Sequence, residues 1–227
     1  MAALISDLTS EPWRRRMYLP NYQIGEAARY AQISAQTVAA WHRDADDRRT
    51  LSSKENRAAL SYLQLIEVAV VAAFRRGGIS LKTIRLAREY VSKVLQKEFP
   101  FSEYHFKTDG KDLLIGYDQV DGKKKGRGKL LVANKHGQLA WKEIIGTLND
   151  FEYGDGVAVR WHVAGKSSPV IIDPRIAFGA PTVSGTPTWV IKGRRDAGES
   201  IEDISEDFGI KKSEVKRAIE FETVTIN

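Results

Sequence analysis

Cysteine is absent from the 227 residues, and its absence removes disulfide frameworks, thiolate nucleophiles and cysteine-containing zinc sites together. A reducing compartment suits such a chain, so a cytoplasmic location is expected. Long hydrophobic runs are missing too. The longest unbroken one, Val68 to Phe74, falls far short of the roughly 20 residues that a membrane helix needs, and the N-terminus has no signal-peptide core. Histidine is scarce. His42, His105, His136 and His162 stand apart, without i, i+4 pairing or a carboxylate at ligand spacing, which argues against a metal centre.

Catalytic constellations are equally thin. His42-Arg43-Asp44 matches the catalytic tripeptide of kinases, but no G-x-G-x-x-G loop or lysine strand precedes it. Gly122 to Lys129 fails as a phosphate-binding loop, because its glycines are wrongly spaced and Leu130 stands where a magnesium-binding Ser or Thr is required. Asp173 and Arg175 flank Pro174 at the end of a β-run, a context that favours fixing a turn over acid–base chemistry. Neither an enzyme nor a cofactor is expected.

What is present is an ordinary globular composition, 42% hydrophobic and 28% charged, which excludes collagenous, low-complexity and wholly disordered classes. Thirty-five Lys and Arg face 29 Asp and Glu, and the net charge of +6 favours anionic partners. Residues 1–20 hold Pro12 and the run Arg14-Arg15-Arg16 with few apolar positions, and read as an exposed basic arm. From Tyr22 the spacing becomes helical: Ala27, Ala28 and Ala31 on one short helix, then Ile33, then Ser34 as N-cap of a second helix holding Val38 and Trp41. Asp44 to Thr50 is a polar connection. Leu63, Ile66, Val70, Val71 and Phe74 form one apolar stripe on a helix ending at Gly77-Gly78, and Ser80 caps another carrying Ile84, Ala87 and Val91.

Beyond Phe99-Pro100 the texture turns to strands at Leu113 to Tyr117, Lys129 to Ala133, Phe151 to Tyr153 and Val157 to Val163, with a helix expected at Trp141 to Leu148. The run from Lys123 to Lys129 is a basic hairpin tip. After a short strand ended by Pro174 come glycine-rich turns and three short helices near Thr188 to Arg195, Ile201 to Phe208 and Ser213 to Glu222. Ser200 and Asp203 mark the start of the second, Gly209 its end. The expectation is an α+β chain of four parts: arm 1–20, helical region 21–100, small α/β linker region 101–165 and C-terminal region 166–227.

Tyr22-Gln23-Ile24-Gly25-Glu26-Ala27-Ala28, with Ile33-Ser34 and Trp41, resembles the DNA-binding segment of MerR-type regulators, and the helices through Leu95 resemble the two-helix unit that follows the wing in that family. Ile172-Asp173-Pro174-Arg175, Phe178-Gly179-Ala180-Pro181, Gly185-Thr186 and the stretch Ala197 to Ile210 resemble a small winged-helix domain long classed as of unknown function, found in VapB-like antitoxins. Together they look like an antitoxin of VapBC type. The resemblance implies binding to double-stranded operator DNA and to a PIN-domain ribonuclease toxin, as a homodimer or a hetero-oligomer with the toxin.

In the proposed recognition helix, Ala39 and Ala40 replace the arginines usual in MerR-like readers. Gln36 is left to read adenine and Thr37 a thymine methyl or a phosphate. His42, Arg43, Arg48 and Arg49 fall where phosphate contacts are expected, and Arg14, Arg15 and Arg16 offer a second set. The acidic C-terminal region suits a protein partner, with Trp189 as a candidate anchor and Arg194 and Arg195 as pairs for acidic groups of the toxin. The alternative is a stand-alone MerR-like regulator whose middle region senses a small molecule. RNA binding by the Lys123 to Lys129 tip is weaker, because that stretch lacks the interleaved aromatics that stack on single strands.

Overall fold

The computed structural model describes residues 11–43, 49–54, 58–94, 96–103, 106–108, 113–116, 130–132, 138–140, 146–147, 149–154 and 156–224. They fall into two units: residues 20–149 with 153–158, and residues 1–19 with 150–152 and 159–227. The class is α+β, as the sequence implies.

Helices α2 (Ile24–Ala31) and α3 (Ala35–His42) open the first unit. The α2 start is a reciprocal box, in which the Glu26 carboxylate accepts from the Gln23 amide at 2.7 Å. Gln32 ends it in the left-handed region at φ 56°, and Ser34 then caps α3 by accepting from the Thr37 amide at 3.1 Å. Alanine makes the crossing tight: Ala27, Ala28 and Ala31 are buried beside Val38 and Trp41. The Arg76 guanidinium adds a distant tie by donating to the Ala31 carbonyl at 2.9 Å, near the negative end of α2.

Helix α4 (Tyr62–Arg76) is the centre of this unit. A single buried stripe is expected from its spacing, yet Tyr62 to Ala72 are all buried, so the helix is enclosed on every side. Gln64 and Glu67 are therefore buried polar groups. The Gln64 amide donates to the Ser53 carbonyl at 2.7 Å; the Glu67 carboxylate accepts from the Ser52 amide at 2.9 Å and lies 3.5 Å from the Phe101 amide. Thr50, Leu51 and Ser52, expected at the end of a polar connection and beyond it, are core, and the Glu67 carboxylate replaces the water that the Ser52 amide loses. Two strand-like contacts, Tyr22 and Leu60 exchanging amide bonds at 2.9 and 2.7 Å, close the same layer. Helix α5 (Leu81–Val94), capped by Ser80 as expected, buries Ile84, Ala87 and Val91, and the short α6 (Pro100–Glu103) sets Phe101 edge-on to Phe74 at 5.9 Å.

Five antiparallel strands follow in the order β4-β3-β2-β1-β5: β1 (Phe106–Thr108), β2 (Leu113–Gly116), β3 (Leu130–Val132), β4 (Gln138–Ala140) and β5 (Gly146–Thr147). Of the helix expected at Trp141 to Leu148, only Gly146 and Thr147 fall among the described residues, and there the expectation is corrected to a strand. Gly146 and Thr147, both weak helix formers, pair with Thr108 and Lys107 as an edge strand. The basic tip at Lys123 to Lys129 lies outside the described residues.

Another antiparallel sheet runs β10-β9-β8-β7-β6: β6 (Phe151–Gly154), β7 (Val157–Trp161), β8 (Ile171–Ile172), β9 (Pro181–Val183) and β10 (Thr186–Pro187); all of it but residues 153–154 and 157–158 belongs to the second unit. The expected division at 165/166 passes through this sheet. Ser184 and Gly185, both at positive φ (47° and 87°), form the tight turn between β9 and β10 that matches strand twist. Three helices follow, α7 (Thr188–Asp196), α8 (Ile201–Phe208) and α9 (Lys212–Thr223), with Ile191, Ile204, Val215 and Ala218 fully buried. Gly209 ends α8 at φ 62°, a conformation glycine adopts without a Cβ penalty. Where an arm without packed structure is expected, Pro12–Arg16 forms a five-residue helix, α1; Pro12 at its first turn has no amide to leave unpaired.

Asp173 fixes the turn after β8. It is fully buried, and its carboxylate accepts from the Arg175 amide at 2.9 Å, from Arg175 Nε at 2.8 Å and Nη2 at 2.5 Å, and from Arg160 Nε at 3.3 Å. Burial opposes its charge, but the Arg175 bonds and the Arg160 charge outweigh it and hold the carboxyl below its usual range. Glu152 extends the network to Arg160, His162 and Lys166, and its hydrogen bond to His162 is the main cause of a value lowered to about 2.

Two stability predictions follow from these buried carboxyls. Burial raises the Glu67 carboxyl above the usual 4.5 against the opposing pull of Ser52 and Arg88. The folded chain thus holds this proton more tightly than the unfolded one, and its favourable contribution, complete below about pH 4.5, is lost as pH rises through the raised value. Urea midpoints of the full chain should therefore fall with pH less steeply in Glu67→Gln than in the unsubstituted protein. Glu67→Leu, which leaves the Ser52 amide without its acceptor, should cost about 2–3 kcal/mol at neutral pH. Asp173 behaves oppositely: its stabilisation is present above the usual 3.8 and lost as pH falls through the lowered value. Asp173→Asn should cost about 2 kcal/mol at neutral pH, read as a lower melting temperature, and the gap to the unsubstituted protein should narrow in acid.

Candidate nucleic-acid interface and partner surface

The two-helix unit brings some of the expected DNA contacts together. Gln36 is exposed on the first turn of α3, and Thr37 is half-buried with its hydroxyl 2.9 Å from that of Ser34. Thr37 is thus partly committed to the cap. Arg43 is exposed at the C-terminal end of α3, Arg49 is half-buried, and Arg48 lies outside the described residues. Ala35 and Ala40 are exposed, so the outer surface of α3 carries no arginine or lysine.

His42 is turned inward. Its Nδ1 lies 3.1 Å from the Ser52 carbonyl, and Nε2 is buried with no hydrogen-bond partner among the described residues. Burial is the main cause of a pKa lowered to about 4, with Lys54 and Arg88 adding to it against the Ser52 bond. The ring is neutral at physiological pH and has no charge to offer a phosphate. Its place follows from the Ser52 backbone, which Glu67 holds from the other side.

The three arginines of the N-terminal run belong to the second unit, on α1. Arg14 Cζ stands 5.0 Å from the centroid of Trp13, Arg15 is exposed, and Arg16 Cζ stands 5.1 Å from the centroid of Phe178. Phe178 is 71% exposed and held at φ 55°. Sequence reasoning missed it, since phenylalanine gives no signal for a left-handed turn.

Of the expected partner residues, Trp189 is 63% exposed on the first turn of α7. It does not fill the core of its own domain; Ile191 and Thr188 are buried there instead. Arg194 is committed within the chain, to Glu199 and to Asp207 at 2.6 Å, with Cζ 5.1 Å from the Phe208 ring centroid. It ties α7 to α8. Arg195 is exposed and donates to the Glu199 carbonyl at 2.8 Å. Among the described residues, no group of three or more His, Asp or Glu could hold a metal ion, and no helix is long and apolar enough to cross a membrane.

Residues 170–221 match the family model "Protein of unknown function (DUF433)". Over 231 aligned residues, covering 90% of this chain and 95% of the relative, the sequence is 25% identical to the Mycobacterium tuberculosis (strain H37Rv) protein named "Putative antitoxin VapB45". The crystal structure of Rv2018 from Mycobacterium tuberculosis has the same fold, with a TM-score of 0.63, 22% identity and coverage of 90% of this chain and 99% of that one. Along most of its length the chain is similar to a protein named as an antitoxin, and its C-terminal part matches a family of unknown function.

Proposed function

We propose that the chain is the antitoxin of a toxin–antitoxin pair, that it neutralises a PIN-domain ribonuclease, and that it binds operator DNA to control its own transcription. The observation that carries this reading is the similarity to an antitoxin-named protein across 90% of the chain, well beyond the C-terminal family match. In this reading the MerR-like unit within residues 21–100 docks α3 in the major groove. Gln36 contacts a base edge, while Arg43, Arg48 and Arg49 hold phosphates. His42 sets the geometry of the unit without touching DNA.

The C-terminal region 166–227 takes the toxin. An exposed tryptophan costs little entropy to immobilise and buries a large area, so Trp189 is the anchor. Arg195 pairs with carboxylates of the nuclease, and Arg194 holds the α7–α8 corner that presents both.

Operator binding that rests mainly on phosphate contacts has a measurable signature. With roughly six phosphates neutralised, log K should fall with log salt at a slope of about −5. Gln36→Ala should relax discrimination at one base position by about 1–3 kcal/mol, while Arg43→Ala should weaken specific and random duplexes alike. A slope near zero in fluorescence-anisotropy titrations would remove the phosphate model, and equal losses on both duplexes for Gln36→Ala would remove base reading. Toxin capture is tested by co-expression with the product of the neighbouring gene, followed by pull-down. Trp189→Ala should weaken capture by about 2 kcal/mol, roughly thirtyfold, and leave operator affinity within about twofold. Full capture by Trp189→Ala would place the toxin contact elsewhere.

A further inference from the structure

Phe178 presents a folding problem. Its backbone lies in the left-handed region at φ 55° and ψ 27°, next to Ala177 at φ 44°, so two consecutive non-glycine residues occupy a conformation that L side chains resist. The ring is 71% exposed. Glycine or asparagine would make the same turn with less strain and no apolar group in water. The turn itself is firmly held. Asp173 grips Arg175 just before it, and the Gly179 amide donates to the Ile176 carbonyl at 2.8 Å.

Around this ring the second unit gathers arginine. Arg16 lies over Phe178 at 5.1 Å, while Arg14 and Arg175 lie 5.0 and 5.7 Å from the Trp13 centroid, and Arg15 is exposed between Arg14 and Arg16. Arg16 Nε is buried with no hydrogen-bond partner among the described residues. Its guanidinium lies against the Phe178 ring. Asp173 is committed to Arg175 and Arg160, and Glu11 accepts from the Trp13 indole, so among the described residues the patch holds more guanidinium groups than carboxylates.

We infer that this patch, Trp13, Arg14, Arg15, Arg16, Arg175 and Phe178, is a binding site for single-stranded nucleic acid. The Phe178 ring stacks on an unpaired base, and the arginines take the flanking phosphates. A duplex hides the faces of its bases, whereas a single strand offers them, and base–aromatic stacking beside cations is the chemistry that an outward ring flanked by guanidinium groups supplies. The site is independent of α3 and needs neither operator binding nor toxin binding.

The test is anisotropy titration of the full chain with fluorescein-labelled oligo-dT and oligo-U of about 15 nucleotides, against a duplex of equal length. Phe178→Asn keeps a residue that tolerates the left-handed turn and removes the ring. It should lose about tenfold in single-strand affinity, keep duplex affinity within about twofold, and melt no lower than the unsubstituted protein. Phe178→Trp should bind single strands at least as well as the unsubstituted chain. Arg15→Ala should lower single-strand affinity and reduce its salt slope by about 1. An unsubstituted protein that binds the duplex but neither single strand overturns the inference while leaving the operator reading intact. Unchanged single-strand binding by Phe178→Asn, with losses only in Arg15→Ala, overturns stacking and reduces the patch to a phosphate contact. Loss of duplex binding alone, with single strands bound as expected, leaves this site standing and removes the operator reading.

Discussion

The buried carboxyl of Glu67 is the contact on which the first unit depends. It sits in the middle of a helix that is otherwise almost wholly apolar, and it reaches the backbone of two segments far apart in sequence, at Ser52 and Phe101. Removing that group would leave a buried amide with neither water nor protein to accept from it, a cost that hydrophobic packing cannot recover. Through Ser52 the effect passes to His42, whose ring orientation is set by the Ser52 carbonyl, and so to the end of α3. The same helix thus fills the core with its aliphatic residues and positions the outer two-helix unit with its polar ones.

The second unit solves a similar problem with paired charges. Asp173 is as buried as Glu67, but two arginines surround it, and its pKa moves down where that of Glu67 moves up. The difference lies in the partners. Neutral amides stabilise a buried carboxylate less than a guanidinium fork does, so burial prevails at Glu67 and pairing prevails at Asp173. The first is a core device sensitive to rising pH; the second stiffens a turn that carries an exposed ring.

Local chemistry was the most readable part of the sequence. Ser34, Ser80 and Ser200 act as N-caps where their positions suggest, and Gly209 ends α8. The α2–α3 pair and all three C-terminal helices follow from spacing alone, because caps and apolar periodicity are written within a few residues. Features made by distant partners were not readable. The edge strand at Gly146–Thr147 exists through its pairing with β1, and the inward turn of His42 depends on a carbonyl ten residues on. Glu67 had a weak signal, a lone acid between Ile66 and Val68 in a helix with no other charge until Arg75. The exposure of Trp189 and Phe178 had none, since an aromatic residue in a short element reads first as core.

Residues 11–19 join the unit formed mainly by residues 159–227, so the start of the chain packs with its last quarter. Synthesis separates them in time. At ribosomal rates of about 5–20 residues per second, the turn at Phe178 emerges roughly 10–30 s after the arginines that will lie over it. The first unit, residues 20–149 with 153–158, has all its parts in hand about 20 residues before that turn is made. A nascent chain therefore passes through a stage in which the first unit is made while the arginines of α1 still await the turn at Phe178, and the loop of more than 150 residues between them closes late.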